Sequence, residues 1–209
     1  MPSAIVFDFN GTLSDDEPLM CEIFQTLFAE HGKPLSKREY YDELAGLSDP
    51  EIVRTWLGAD HPDVDAVIQQ RIDRYRAAVG DGSTVHDHVR DAVRYAAARV
   101  PLAICSGAAR AEIEPVVEAA GIAGCFRAIV SSDDVAHGKP DPEGYLAALE
   151  ALGTYDALVF EDTEAGIASA KAAGLRVIAK TGTLDPERLR QADELVERID
   201  ADLIRRCLS

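Results

Sequence analysis

The stretch that most constrains the fold is at the start of the chain, where Ala4-Ile5-Val6-Phe7 runs straight into Asp8-Phe9-Asn10-Gly11-Thr12-Leu13. A short apolar run bounded by turn residues predicts a buried strand, in keeping with a parallel sheet. The Asp8 carboxylate then falls at the strand's carboxyl end, the edge at which open α/β sheets bind ligands. Gly11 permits a sharp turn that a side chain would obstruct. Taken alone, the stretch could equally be a buried strand followed by a polar turn, so the rest of the chain has to decide.

The next part of the chain carries no strand pattern. Asp15-Asp16-Glu17-Pro18 suits a helix start, because carboxylates favour the positive end of the helix dipole and Pro fits the first turn. Leu19, Ile23, Leu27 and Phe28 then share one helical face, and Gly32 closes it. Ser36-Lys37-Arg38-Glu39 has capping-box spacing and opens a second helix. Ser48-Asp49-Pro50-Glu51 opens a third, ending at Gly58, and Asp60-His61-Pro62 opens a fourth, ending near Gly80. From Val85 onward apolar strands alternate with helices: 102–105, 126–130, 157–160 and 175–179 read as strands, with 194–196 as an edge strand. That alternation specifies a parallel sheet with helices on both faces. The chain is therefore expected to form an α/β core from 1–14 and 84–209, interrupted by a helical insertion at 15–83.

Composition limits the function classes. The chain has 209 residues, 47% hydrophobic and 28% charged, which allows a core plus a small second unit. A net charge of -16 argues against non-specific nucleic-acid binding, which needs clustered Lys and Arg. The same charge repels anionic substrates at long range, so a phosphate site here would need a metal or local cations. No apolar run approaches membrane-spanning length, and Met1-Pro2-Ser3-Ala4 has no basic region ahead of an apolar stretch. Cys21, Cys105, Cys125 and Cys207 form no CxxC pair, so reduced thiols in a cytoplasm are expected.

Three further predicted strands end on polar residues. Ser106-Gly107 follows Leu102-Ala103-Ile104-Cys105, Glu161-Asp162 follows Ala157-Leu158-Val159-Phe160, and Lys139 lies in His137-Gly138-Lys139-Pro140 after the strand at 126–130. Each has a bland reading: a turn, a strand end leading into a helix cap, a loop lysine. Their order and their common place at strand ends outweigh those readings. His86-x-His88 could suggest a metal, but two histidines at a helix start are more often solvated.

Together these four motifs resemble those of the haloacid dehalogenase superfamily, and the resemblance covers nearly the whole chain. It implies a Rossmann-like parallel sheet flanked by helices, with a small inserted all-helical cap domain. The helical insertion is similar to the cap of the subfamily containing phosphoglycolate phosphatase and β-phosphoglucomutase. By this resemblance Asp8 is the nucleophile that forms an aspartyl-phosphate, while Ser106, Gly107 and Lys139 bind the phosphoryl group. Mg²⁺ is held by the carboxylates of Asp8 and Asp162 and the backbone carbonyl of Asn10, with Glu161 acting through water. Thr12 belongs with the substrate-binding set. Lys33, Arg38 and Arg54 are the cap cations suspected of touching substrate, and Ala45-Gly46-Leu47-Ser48 is similar to a specificity loop. That loop lacks a basic residue, which counts against mutase chemistry. The substrate is expected to be a small phosphorylated metabolite, and the protein is expected to be a monomer.

The chain departs from the pattern at one catalytic position. Where the family's phosphatases carry a second aspartate that protonates the leaving oxygen and then activates water, this chain has Asn10. An amide cannot do that chemistry, and losing such a group typically costs on the order of 10²–10⁴ in rate. The substitution is engineered, or it is natural with an activated substrate such as an acyl phosphate, or Asp15, Glu17 or a water supplies the proton. Three other readings stand beside a phosphatase. One is a haloacid dehalogenase proper, in which Asp8 attacks carbon. Another is a phosphonate-cleaving enzyme with Lys33 as Schiff base. The third is a protein that binds a phosphate ester without turning it over.

Overall fold

A computed structural model describes residues 1–209. Six parallel strands form one sheet in the order β3-β2-β1-β4-β5-β6: β1 Ala4–Phe7, β2 Leu102–Cys105, β3 Phe126–Val130, β4 Ala157–Glu161, β5 Arg176–Lys180 and β6 Glu194–Val196. The apolar runs read from the sequence are these strands. β1, β2 and β4 are buried along their whole length, which is why they read as unbroken runs rather than alternating ones. The strand order reverses at β1, whose partners are β2 on one side and β4 on the other. In open α/β sheets a ligand crevice lies outside the carboxyl ends of such a pair. Asp8, Ser106 and Asp162 each directly follow one of these three strands.

Between β1 and β2 every regular element is helical: α1 Glu17–Glu30, α2 Lys37–Glu39 continuing into a π-helical turn at Tyr40–Leu44, α3 Asp49–Leu57, α4 Val64–Val79 and α5 Asp87–Ala97. The capping box read at Ser36 forms, with Ser36 Oγ accepting from Glu39 N at 3.2 Å and Ser36 N donating to Glu39 at 2.8 Å. α4 packs on α1 and α3 and reaches α6, so the helical segment rests on the α/β core. The expected fourth helix begins at Val64 rather than at Asp60, because the chain turns through His61 and Pro62 first. The remaining helices, α6 Arg110–Ala119, α7 Glu143–Leu152, α8 Glu164–Ala172 and α9 Ala201–Cys207, cover the sheet, and the segment at 186–189 is a single 3₁₀ turn. Phe7 stacks on Phe160 at 5.1 Å between adjacent strands, which holds the ends of β1 and β4 in register beneath the site. No helix is long and apolar enough to cross a membrane.

Candidate active site

The site begins with a tight loop after β1. Gly11 has φ +69°, and a Cβ there would sit 1.8 Å from Asp162 Oδ2. Only glycine therefore lets the β1 loop close against the end of β4. Lys180, at the end of β5, donates to the Gly11 carbonyl at 2.8 Å and fixes the loop from the other side. Thr12 Oγ1 donates to Asp162 Oδ1 at 3.1 Å, and Thr183 Oγ1 donates to Asp162 Oδ2. Thr12 was expected among the substrate-binding residues, and its hydroxyl is instead directed at Asp162. Its side chain is buried, is spent on orienting Asp162, and does not line the cleft.

The other strand-end residues converge as expected. Lys139 Nζ donates to Asp8 Oδ1 at 2.6 Å and to Glu161 Oε1 at 2.5 Å. Tyr145, 5.3 Å beneath the ammonium, donates its hydroxyl to the same Glu161 oxygen at 2.9 Å. Glu161 Oε2 accepts from the backbone N–H groups of Asp162 at 2.9 Å and Thr163 at 3.1 Å and from Thr163 Oγ1 at 3.0 Å. Glu161 thus already has protein donors on both oxygens, and it braces Lys139 and the start of α8. A Cβ at Gly166 would lie 1.8 Å from Glu161, so that helix can approach only because the residue is glycine. Ser106 accepts from Ala108 N at 3.2 Å and lines the same cleft as Asp8, Gly107 and Lys139.

Asp8, Glu161 and Asp162 are all buried, with one carboxylate oxygen from each lying within 4.8 Å of the others. Three carboxylates are thereby confined with one ammonium. Burial raises Asp8 to about 7, against the pull of Lys139. Burial and the neighbouring Asp8 and Glu161 charges push Asp162 well above its ordinary value. Burial acts to raise Glu161, but the charge and hydrogen bond of Lys139 together with the Asp162 and Thr163 backbone donors hold it low, and Lys139 is held above its usual range by Asp8 and Glu161 despite burial. An oxygen-only donor set with surplus buried negative charge suits a hard divalent cation such as Mg²⁺.

Asn10 lies at the edge of the cleft with its amide turned away from catalysis. Asn10 Nδ2 donates to Asp16 Oδ2 at 2.9 Å, and Asp16 also accepts from Gly11 N at 3.1 Å and Tyr75 OH at 2.5 Å. This buried network was not read from the sequence, where Asp16 passed as part of a helix start and Tyr75 as a core residue 59 positions away. Asp16 does not cap α1; its carboxylate is used up on the β1 loop. Asp15 is exposed and faces His86 at 3.0 Å, so His86 has a carboxylate partner rather than a metal-ligand set. Of the acidic run, Glu17 alone lines the cleft. Tyr40 OH donates to it at 2.9 Å, and burial pushes it up to about 7, against Tyr40 and Lys180 and with Asp16 adding to the rise.

The cleft has a volume of about 850 Å³ and is roofed by the helical segment through Gly46, Leu47, Ser48, Arg54 and Arg71. Of the suspected cations, Arg54 lines it. Lys33 and Arg38 do not: Lys33 lies over the Trp56 ring at 5.8 Å, and Arg38 pairs with Asp42 at 3.2 Å in solvent. Lys33 thus lies outside the cleft that holds Asp8. His137 lines the cleft but is exposed, with Nδ1 3.0 Å from Glu143. Burial keeps the Cys105 thiol, also on the cleft wall, protonated by raising it to about 12.

Comparison with known proteins agrees with this geometry. The haloacid dehalogenase-like hydrolase family model matches residues 5–180. A validoxylamine A 7'-phosphate phosphatase of Streptomyces hygroscopicus subsp. limoneus is 32% identical over 94% of this chain and 94% of its own length. Protein CbbY of Rhodobacter capsulatus is 32% identical over 91% of this chain and 88% of its own. The crystal structure of an aspartate-to-asparagine mutant of CbbY from Rhodobacter sphaeroides, in complex with xylulose-(1,5)bisphosphate, superposes with a TM-score of 0.83 at 28% identity, covering 97% of this chain and 96% of that one. The chain belongs to the haloacid dehalogenase-like hydrolase family.

Proposed function

We propose that this protein is a Mg²⁺-dependent phosphohydrolase of small phosphate monoesters that works through an aspartyl-phosphate on Asp8. The observation that carries the reading is the convergence of Asp8, Ser106, Lys139 and Asp162 in one cleft at the sheet's switch point, with Lys139 2.6 Å from Asp8. Relatives named as phosphatases of phosphorylated small molecules support it.

In this mechanism Asp8 attacks phosphorus in line. Lys139 and Ser106 donate to the equatorial oxygens, where charge develops. Glu161 acts as a positioning residue by holding Lys139 against Asp8. Asp8, Asp162 and the Asn10 carbonyl would hold Mg²⁺, which when bound supplies the charge neutralisation that three buried carboxylates otherwise deny a phosphate. The segment 15–83 acts as a cap that excludes water and carries the contacts to the rest of the substrate.

Asn10 cannot move a proton, and Asp16 is sealed behind it. Glu17 is therefore the group we assign to protonate the leaving oxygen and to activate the hydrolytic water. Its cleft position supports the role, and a carboxyl that titrates near neutrality suits acid and base work in turn. The groups facing it are Asp16, Tyr40, Tyr41, Cys21, Lys180 and, across the cleft, Asp162. The test is phosphate release from a sugar-phosphate panel and from acetyl phosphate by the wild type and by Glu17→Gln. A loss on alkyl esters that exceeds the loss on acetyl phosphate, which needs the activated water but no leaving-group acid, supports Glu17 as the acid. An equal effect on both removes it.

One observation favours a second reading, a binder that retains a phosphate ester without hydrolysing it. The Asn10 amide is locked onto Asp16, and the CbbY mutant with an asparagine in place of an aspartate holds a bisphosphate in its crystal. Saturable binding with no release from any ester or from acetyl phosphate would establish it. A carbon-centred dehalogenase reading draws no support from the buried carboxylate cluster, whose charge calls for a cation.

A further inference from the structure

Resting on the phosphohydrolase reading, we propose that the part of the cleft beyond the phosphoryl site selects against a second anion, so the substrate is a monophosphate whose remaining polar groups are hydroxyls or amines. Arg71, the one buried guanidinium on the cleft wall, has no net charge to offer. It is only 3% exposed, and both its terminal nitrogens are already paired. NH1 donates to Glu112 Oε1, and NH2 donates to Asp49 Oδ2 and, at 3.3 Å, to Glu112 Oε2. One positive charge is held between two carboxylates, one wholly buried and the other 19% exposed. The group as a whole is negative.

The placement of the two carboxylates is fixed. Glu112 sits in the first turn of α6, where its Oε2 also accepts from Ala109 N at 3.1 Å, and Asp49 opens α3 next to the loop that lines the cleft. Arg71 comes from α4, so the cluster ties the helical segment to the α/β core directly over the cleft. Beyond the phosphoryl site the wall also carries Glu17 and Glu51 against Arg54 alone. A lone exposed guanidinium is a weak anion site, since solvent screens it. A second phosphate or a carboxylate entering here would meet the partly exposed Asp49 and a buried Arg71 whose charge Glu112 already neutralises, and like-charge contacts out of water are strongly unfavourable.

The cluster also leaves one N–H of the guanidinium, the buried Arg71 Nε–H, unpaired within the protein. A buried N–H that costs free energy while unpaired is well matched by a substrate hydroxyl oxygen, which accepts without adding charge. The same carboxylates welcome a substrate ammonium.

The test uses ligands that share one carbon skeleton. Glucose 6-phosphate, glucosamine 6-phosphate, 6-phosphogluconate and glucose 1,6-bisphosphate are compared with Mg²⁺ present, by phosphate release and by calorimetric binding to the wild type and to Asp49→Asn. The expected wild-type order places the two monophosphates without a second anion at least about tenfold ahead of the other two, or about 1.4 kcal/mol. Asp49→Asn, which removes one negative charge and leaves Arg71 and Glu112 as a neutral pair, is expected to narrow that gap by raising binding of the bisphosphate and the phosphogluconate. Equal or tighter wild-type binding of either ligand with a second anionic group, binding of none of the four, or an Asn variant that shifts all four alike overturns the proposal. Absence of turnover with the binding order intact defeats the phosphohydrolase reading and leaves this one standing.

Discussion

Asn10 stands where related phosphatases, by the resemblance drawn above, carry an aspartate, and the proposal moves the acid/base task of that aspartate to Glu17. Asn10→Asp restores a carboxylate beside Asp8 and is expected to raise alkyl-phosphate turnover by on the order of 10². Steady-state phosphate release checks this, and an unchanged rate in a folded variant contradicts it. Glu17 titrates at about 7 against an ordinary 4.5. As the acid it must carry a proton, so alkyl-ester turnover is expected to fall as pH rises past about 7, and Glu17→Gln should abolish that limb. The same shift acts on folding. A raised carboxyl stabilises the fold fully below about pH 4.5, and that contribution is lost as pH rises through about 7. Urea midpoints measured from pH 5 to 8 should therefore decline more in the wild type than in Glu17→Gln. Gly11→Ala belongs at this scale too. It forces a residue with φ +69° to carry a Cβ into Asp162, which is expected to cost about 1–3 kcal/mol from the backbone alone, before the steric clash is added. A urea melt reads this directly.

At the scale of elements, strand ends were legible in the sequence and helix interiors were not. Asp8, Ser106, Glu161 and Asp162 could be found because each lies at the end of an apolar run, where a buried parallel strand leaves its chemistry, whereas Lys139, in a loop well beyond β3, was found through the resemblance. Arg71 could not be found. It lies on the same face of α4 as Val67 and Tyr75, four residues either way, on a stripe that reads as core. Periodicity shows which face is buried but not that a charge on it will meet partners from α3 and α6. The Asp16, Asn10 and Tyr75 network was hidden for the same reason: its members come from the β1 loop, the start of α1 and the end of α4. The direction of the Thr12 hydroxyl was equally hidden, since it was free to face either the cleft or Asp162 and only the folded loop turns it to Asp162. The Arg71 cluster also ties α4 to α6. Arg71→Met leaves Glu112 buried without its partner and is expected to cost about 3–5 kcal/mol in equilibrium unfolding. A change below about 1 kcal/mol would show that solvent reaches the cluster.

For the whole molecule, the sheet places the reacting groups and the helical segment closes over them. The strand order reverses between β2 and β4, which puts Asp8 between Ser106 and Asp162 with no special loop required. That much follows from alternating strands and helices, whereas the shape of the cleft depends on contacts between distant parts of the chain. The surplus of buried carboxylate around Asp8 means that a divalent cation should stabilise the fold. Mg²⁺ at a hundred times its dissociation constant is expected to add about 2.7 kcal/mol, read as a rise in melting temperature. The most direct test of the central claim is phosphate release from the sugar-monophosphate panel and acetyl phosphate at high enzyme concentration, with Mg²⁺ or with EDTA, for the wild type and Asp8→Asn. The account predicts release that needs Mg²⁺ and disappears in Asp8→Asn. Release that survives EDTA or the loss of Asp8, or no release from any ester or from acetyl phosphate, would contradict it.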